Sequence, residues 1–210
     1  LLFVLSFNCF TNSYAQDIHY GVKGGVNYST IIGEYTDGVQ GRVAYHVGVF
    51  ADIPFLKKFS FHPEILFSSQ GYRRENYPDF SPDYDLSNSL GSYELTVTNN
   101  YIILPLITKF HFRDKFNVEI GPQLGFLLNS VTQYEWNNSG EKEKSASGYD
   151  QFDIGPTLGF GYNINPQMEV GLRYYIGLSD LFREDEIMYV QSNLDWFDSV
   201  IQLSFSYTIF

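Results

Sequence analysis

The sequence predicts an all-β protein, namely an eight-stranded antiparallel up-and-down transmembrane β-barrel with short periplasmic turns and long extracellular loops. Eight stretches alternate apolar and polar residues, short and long connections alternate between them, and an apolar leader precedes them. Alternation with period two indicates an extended strand with two unlike faces. The clearest stretch, residues 151–164, puts seven apolar residues on one face, with Asp153, Thr157, Asn163 and three glycines on the other.

The composition suits strands that face lipid. A chain of 210 residues predicts one domain. Charged residues make up only 18% and aromatic residues also 18%, including 19 Phe and 17 Tyr. The mean hydropathy is −0.17, and no run of 18 apolar residues occurs. This excludes a helical membrane protein, whereas barrel strands dilute their apolar signal by alternating.

Residues 1–15 are predicted to be the rear of a secretory signal peptide, followed by an outer-membrane barrel domain at 16–210. An apolar run ends at Phe10, and Ser13-Tyr14-Ala15 forms a small-x-small cleavage pattern. No Met or basic residue precedes the run, so we expect the front of the signal to be missing from the sequence. The alternative, a buried first strand, is disfavoured because the run neither alternates nor contains turn residues. The single cysteine, Cys9, lies in this leader, so the mature chain is expected to form no disulfide.

Alternation and loop length together define the strand map. The predicted strands are 19–29, 42–52, 59–70, 96–112, 116–129, 151–164, 167–177 and 198–210. The short connections are 53–58, 113–115 and 165–166, and the long connections are 30–41, 71–95, 130–149 and 178–197. Short turns at one end and long loops at the other are typical of outer-membrane barrels.

Proline and glycine positions add detail to this map. Four prolines, Pro63, Pro105, Pro122 and Pro156, lie inside predicted strands. Because each removes a ladder donor, we expect local bulges there. The sequence from Glu119 to Phe126, EIGPQLGF, recurs as DIGPTLGF 34 residues later. In both copies the glycines are predicted to face inward and the bulky residues outward.

The polar strand faces are predicted to carry a balanced set of charges into the lumen. The set contains four positive and four negative residues: Lys23, Arg42, Glu64, Lys109, Glu119, Asp153, Glu169 and Arg173. His46, His62 and His111 join them. An Arg or Lys facing lipid at mid-bilayer would cost about 2–4 kcal/mol, whereas lumenal charges can pair. We favour internal cross-bracing by salt bridges, and the alternative is a proton or ion path.

The sequence carries no motif that indicates catalysis, a metal or a cofactor. It contains neither His-Glu-x-x-His nor Gly-x-Ser-x-Gly. His62 and Glu64 share a strand face, but no third ligand is visible, so a lumenal ion pair is the favoured interpretation. The formal net charge of −11 argues against nucleic acid as a partner. We therefore expect no enzymatic activity, with outer-membrane lipid as the surroundings.

Several short motifs, taken in order, resemble the PorT-like outer-membrane β-barrel proteins. They are YGVKGGVNYS from Tyr20, HPEIL from His62, ILPL from Ile103, EIGP from Glu119 and GLRY from Gly171. The resemblance covers essentially the whole mature chain. It implies a barrel in a Gram-negative outer membrane. It also implies the barrel insertion machinery as a partner, and secretion-system proteins as further partners.

Two features qualify what the resemblance implies. The founding member of the family takes part in protein secretion, while most relatives are known only by their fold. Such barrels usually end in an outward-facing aromatic residue, yet Phe210 is out of phase with Leu203, Phe205 and Tyr207. Either a bulge restores the phase of Phe210, or Ile209 serves as the last outward residue.

The favoured hypothesis is a non-enzymatic outer-membrane barrel with a packed polar lumen. It would act through its loops or as an accessory to protein secretion. Three alternatives stay open: a small-solute pore, a lipid-modifying enzyme at the rim, and a soluble lipocalin-like barrel. The last would need an apolar interior and a polar exterior, which is the reverse of the predicted polarity.

Overall fold

The computed structural model describes residues 18–33, 36, 38–78, 92–113, 115–136, 142–146, 152–179 and 196–209. The leader predicted at 1–15 lies outside these ranges, as does most of the connection 178–197. Among the described residues, no helix has the length and apolarity needed to cross a membrane.

Antiparallel strands account for nearly all of the described chain. They are β1 (His19–Gly33), β2 (Val39–Leu56), β3 (Phe59–Pro78), β4 (Ser92–Arg113), β5 (Phe116–Trp136), β6 (Lys142–Ala146), β7 (Phe152–Asn165), β8 (Met168–Ile176) and β9 (Trp196–Thr208). Each strand of the ring pairs with its neighbour in sequence, except that β5 pairs with β7, and β9 pairs with β1 to close the ring. The eight-stranded up-and-down barrel predicted from the sequence is therefore confirmed. The short β6 stands outside the ring, paired with residues 131–135 of β5.

The two ends of the barrel differ in how the strands are connected. At the short-turn end, β2 and β3 are joined by Lys57 and Lys58, and β7 and β8 by Pro166 and Gln167. Asn165 stabilises the second turn, because its Oδ1 accepts hydrogen bonds from the backbone N–H groups of Gln167 and Met168, both at 2.9 Å. The longer connections all lie at the opposite, long-loop end.

Several strands extend beyond their predicted ends at the long-loop end. Parts of the connections predicted at 30–41, 71–95 and 130–149 are strand, and β6 was not anticipated. Residues 71–74 of β3, for example, pair with residues 95–98 of β4. Beyond the lipid a strand needs no apolar outer face. The alternation that revealed the transmembrane parts is therefore weak there.

The bulges expected at the four prolines are wrong. Within the described strands the register passes Pro63, Pro105, Pro122 and Pro156 without a shift. The pairing instead omits a few partners, such as Glu64 and Ile65 on the β4 side of β3. A proline removes one donor but adds no residue, so leaving out a ladder bond preserves the register, whereas a bulge would change it.

The two faces of the wall have opposite polarity. Val43, Leu158 and Phe160 point outward with exposed fractions of 70%, 57% and 51%. Glu64 and Arg173 point inward and are only 2% exposed. A soluble barrel would have the reverse arrangement, so the apolar outer face identifies the wall as a surface made for lipid.

An aromatic band lines the short-turn end of the outer wall from β2 to β7. It consists of Phe55, Phe59, Phe110, Phe112, Phe116, Phe160 and Tyr162. Neighbouring rings are in contact, with centroids 4.9 Å apart for Phe59 and Phe110 and 5.1 Å apart for Phe116 and Tyr162. Aromatic girdles of this kind mark the membrane interface of outer-membrane barrels.

The polarity of the wall predicts a depth-dependent cost for an outward charge. We expect Leu158→Arg, in the middle of β7, to lower the free energy of unfolding in phospholipid vesicles by about 2–4 kcal/mol. Ile164→Arg lies on the same face beside the short turn and should cost about 0–1 kcal/mol. Urea titration of both variants measures the difference. Equal, small effects at the two positions would contradict a lipid-facing wall.

Candidate functional site

The interior of the barrel is organised around the buried carboxylate of Glu64, on the inner face of β3. Lys23 of β1 places its Nζ 2.7 Å from Glu64 Oε1. Arg173 of β8 binds the same carboxylate with two parallel hydrogen bonds, Nη1 to Oε2 at 2.8 Å and Nη2 to Oε1 at 2.7 Å. A bidentate guanidinium–carboxylate pair fixes orientation as well as charge.

The same arginine extends the ion pairs to the opposite side of the barrel. Its Nε donates to Glu119 of β5. Lys109 of β4 lies between two carboxylates, with its Nζ 3.1 Å from Glu119 Oε1 and 2.7 Å from Glu169 Oε1. We call these six residues the ion-pair network: Lys23, Glu64, Lys109, Glu119, Glu169 and Arg173. Three positive and three negative side chains from five strands therefore meet in one connected set.

Inward-facing glycines of β7 leave room for this network. A Cβ at Gly159 would lie 2.7 Å from Cγ of Arg173 and 3.1 Å from Oε2 of Glu119. A Cβ at Gly161 would lie 2.5 Å from the side-chain amide of Asn117, whose Nδ2 donates to Glu169 at 2.8 Å. Gly159, in the repeated DIGPTLGF stretch, and Gly161, just after it, are thus part of how the charged interior packs.

A histidine connects the network to the short-turn end. Nδ1 of His62 lies 3.0 Å from Asp52 Oδ1, and Nε2 lies 3.1 Å from Glu64 Oε1 without the angle of a hydrogen bond. The contact of His62 with Glu64 is therefore a close approach without a hydrogen bond. Ser60 donates to Asp52 at 2.8 Å, and its hydroxyl is 3.1 Å from Nε2 of His111. A cavity of about 180 Å³ opens beside these residues at the mouth.

The remaining residues predicted for the interior lie away from the network. Arg42 donates to the backbone carbonyl of Gln70 at 3.2 Å. Asp153 accepts a 2.6 Å hydrogen bond from the hydroxyl of Tyr175. His46 is held between Asn27 and Ser204 at 2.7 and 2.9 Å. Six of the eight predicted charges thus form one network, while Arg42 and Asp153 stand at other heights along the barrel.

Sequence reasoning missed two interior carboxylates, Asp52 and Asp198. Asp198 is buried in β9 and accepts a 3.3 Å hydrogen bond from the hydroxyl of Tyr101 across the barrel. Asp198 is an even number of residues from Gln202 and Ser204, which face inward, so the alternation along β9 could have predicted that it faces inward too. Asp52 was hidden because it was predicted to end its strand, where the facing of a side chain is least defined.

An apolar cluster fills the interior at the long-loop end. Ile31, Tyr72 and Val97 form its buried centre, and Leu95 and Trp196 pack against them. A second cluster below it joins Leu66, Tyr101 and Ile103. The sequence predicted polar inner faces throughout, so this change of polarity along the axis was not foreseen. Apolar side chains here are shielded from water without facing lipid.

No group of three or more His, Cys, Asp or Glu side chains that could hold a metal ion occurs among the residues that the structure describes. His62 and Glu64 are neighbours, as their spacing suggests. The other groups that contact Glu64 are the cations Lys23 and Arg173, which cannot coordinate a metal ion. This arrangement resembles a satisfied ion-pair cluster more than a metal centre.

The fold and its inverted polarity agree with the family to which the chain belongs. Residues 14–183 match the family described as the outer membrane protein beta-barrel domain, so the chain is a member of that family. The protein is therefore a β-barrel of a Gram-negative outer membrane, and its apolar outer wall lies in membrane lipid. Among curated protein sequences, none matches the chain significantly.

Solved structures of similar barrels have very different sequences. Ail, the attachment invasion locus protein of Yersinia pestis, is 11% identical, with 91% of this chain and 98% of that chain covered and a TM-score of 0.46. Neisserial surface protein A is 9% identical, with 90% and 97% covered and a TM-score of 0.44. The outer membrane protease OmpT from Escherichia coli is 10% identical, with 95% and 99% covered and a TM-score of 0.40.

The ion-pair network predicts a large cost for removing the charge of Glu64. Glu64→Gln preserves shape but leaves Lys23 and Arg173 without their shared anion, so we expect the free energy of unfolding to fall by about 3–5 kcal/mol. The matched control is Glu75→Gln, whose pair with Arg73 is 3.4 Å long and largely exposed. It should cost less than about 1 kcal/mol. Urea unfolding in vesicles measures both, and similar costs would contradict a structural role for the network.

Proposed function

We propose that this protein is a closed, non-enzymatic outer-membrane barrel that acts at its long-loop end. Its role would be a loop-mediated interaction with a partner or an accessory function in protein secretion. The observation that carries the proposal is the ion-pair network, because it joins opposite walls of the barrel through charges that satisfy one another.

A closed lumen is supported by both the size and the filling of the barrel. Eight strands leave an interior that side chains just fill. A permeation path needs charged or polar groups that can exchange partners with a passing solute. Glu64 and Arg173 are instead engaged with protein atoms at 2.7–2.8 Å. The apolar cluster around Ile31 and Val97 adds a second obstruction nearer the outside.

A non-enzymatic role is supported by the contacts of Ser60, which has both an imidazole and a carboxylate as neighbours. In a nucleophilic triad the base accepts the hydroxyl proton and the acid orients the base. Here the hydroxyl of Ser60 donates to Asp52 itself, and His111 is only a further neighbour. Ser60 is also buried and lies at the short-turn end, away from the outer rim.

The distribution of charge supports an interaction at the long-loop end. The five connections there (34–38, 79–91, 137–141, 147–151 and 180–195) contain twelve of the 24 acidic residues but only one of the 13 basic residues. They therefore carry the entire formal net charge of −11, and the rest of the chain is neutral. An acidic rim favours a partner with a basic surface and accelerates their encounter at low salt.

Two partners follow from the resemblance to PorT-like barrels. This resemblance supports secretion-system proteins as the partner of the loops. Recognition by the barrel insertion machinery is supported by the outward row of β9, in which Leu203, Phe205 and Tyr207 are all exposed. Ile209 continues this row with an exposed fraction of 47%.

A closed lumen predicts the absence of a stable conducting state. The purified protein, refolded into planar lipid bilayers, should show no long-lived channel above the background of the detergent alone. Arg173→Ala, which removes the link between Glu64 and Glu119, should conduct more often than the wild type. A sustained, uniform wild-type conductance would contradict the proposal and favour the small-solute pore.

An acidic rim predicts that neutralising one loop weakens partner capture. The variant Glu184→Gln, Asp185→Asn, Glu186→Gln should lower in-cell cross-linking to the partner several-fold, with a weaker dependence on salt. The matched control removes three acidic charges from strands, through Glu75→Gln, Glu94→Gln and Glu135→Gln. Equal capture by the two variants would contradict an interaction through this loop.

The same variants separate a secretion role from another loop-mediated interaction. If the protein assists secretion, the loop variant should fail to restore exported proteins to the culture medium of a deletion strain, whereas the strand control should restore them. An unchanged set of exported proteins in the deletion strain would exclude the secretion role and leave the loop interaction.

A further inference from the structure

A recess interrupts the lipid-facing wall of β1 to β4. It has a volume of about 490 Å³, and the side chains around it are almost entirely apolar. Large outward side chains form its rim: Tyr20, Val22, Val49, Ile65 and Leu106. Ala51 and Pro63, smaller outward residues of β2 and β3, line the recess between Tyr20 of β1 and Leu106 of β4. An outer wall that was uniformly bulky would have no such depression.

Two prolines interrupt the strand pairing beneath the recess. Pro63 lacks a backbone donor toward β2, and the β2–β3 pairing omits Ala51 and Asp52. Pro105 lacks one toward β3, and the β3–β4 pairing omits Glu64 and Ile65. Both gaps adjoin residue 64, so ladder pairs are missing on both sides of β3 beneath the recess.

The aromatic band serves as a reference for how far the recess lies below the membrane surface. Phe59 belongs to that band and lies four residues before Pro63 on the same strand. Four residues span roughly 13 Å along a strand, or about 10 Å of depth at the usual tilt. The recess therefore lies in the apolar layer on the short-turn side, which is the periplasmic leaflet.

The turn of the β2–β3 hairpin, which carries part of the recess, is positively charged. Lys57 and Lys58 form the turn between β2 and β3, and both are exposed. The hairpin therefore presents two ammonium groups beyond the aromatic band and an apolar depression below it. An anionic phosphate joined to a long hydrocarbon chain matches both features in the order in which they occur.

We propose that this recess binds one acyl chain of a glycerophospholipid from the periplasmic leaflet, with the phosphate of that lipid beside Lys57 and Lys58. Bulk lipid is as apolar as the recess, so the hydrophobic effect gives no preference for this position. Selectivity comes from the additional van der Waals contacts of a chain lying in a depression, together with phosphate–ammonium attraction.

Filling the recess tests the proposal. Ala51→Phe places a large ring in it. Val43→Phe is the matched control, because it adds the same ring to the outer face of the same strand at a position that is already 70% exposed. Both variants and the wild type are extracted from membranes in a mild detergent, and native mass spectrometry counts the retained lipids. Heat-modifiability in gel electrophoresis verifies that each barrel is folded, and Ala51→Leu serves if Ala51→Phe is not.

We expect the wild type and Val43→Phe to retain one phospholipid and Ala51→Phe to lose at least about nine tenths of it, a tenfold change that corresponds to about 1.4 kcal/mol. Adding phosphatidylglycerol to delipidated wild-type protein should restore the bound species, and Lys57→Gln with Lys58→Gln should weaken that restoration. Retention of lipopolysaccharide instead of phospholipid would overturn the proposal, as would equal retention by all variants or by none.

Discussion

The burial of Glu64 between Lys23 and Arg173 is the interaction on which the rest of the interior depends. A carboxylate taken out of water is costly unless cations and hydrogen bonds replace its solvation. Arg173 meets this requirement with a bidentate contact, and its remaining Nε then requires Glu119. Glu119 in turn forms an ion pair with Lys109. One buried anion thus dictates partners on four other strands, and the six charged groups are bound as a set.

The lipid imposes the complementary constraint on the wall. Backbone groups facing hydrocarbon have to be paired within the protein, so the sheet closes on itself and has no edge in the membrane. A proline conflicts with that requirement, because it has no backbone N–H to donate and leaves a carbonyl on the next strand without that partner. At Pro63 and Pro105 the conflict is resolved by omitted pairs in an unchanged register. Both gaps adjoin Glu64, so the carboxylate bound by Lys23 and Arg173 lies where ladder pairs are missing on both sides of β3.

The sequence predicts the strands in lipid and the facing of their residues, because alternation is strict only where one side meets hydrocarbon. Phe152 and Leu158 face outward on this basis. The sequence cannot predict β6 or the strand extensions, which lie beyond the lipid. The alternation along a strand also gives the face on which a residue lies, but not its position along the barrel axis. Arg42 and Asp153 share the inner face with Glu64, yet cross-strand register places them at levels where Gln70 and Tyr175 are their partners.

The packing of the interior changes along the barrel axis. Ion pairs brace the half that lies nearer the short turns, where strands are held by tight connections. In the other half, where β3, β4 and β5 continue past the membrane, apolar residues such as Ile31 and Val97 pack among buried polar residues such as Asp198. Apolar packing tolerates small adjustments that a directional ion pair does not. The interior therefore depends on directional ion pairs near the short turns and on less directional apolar packing beneath the long loops.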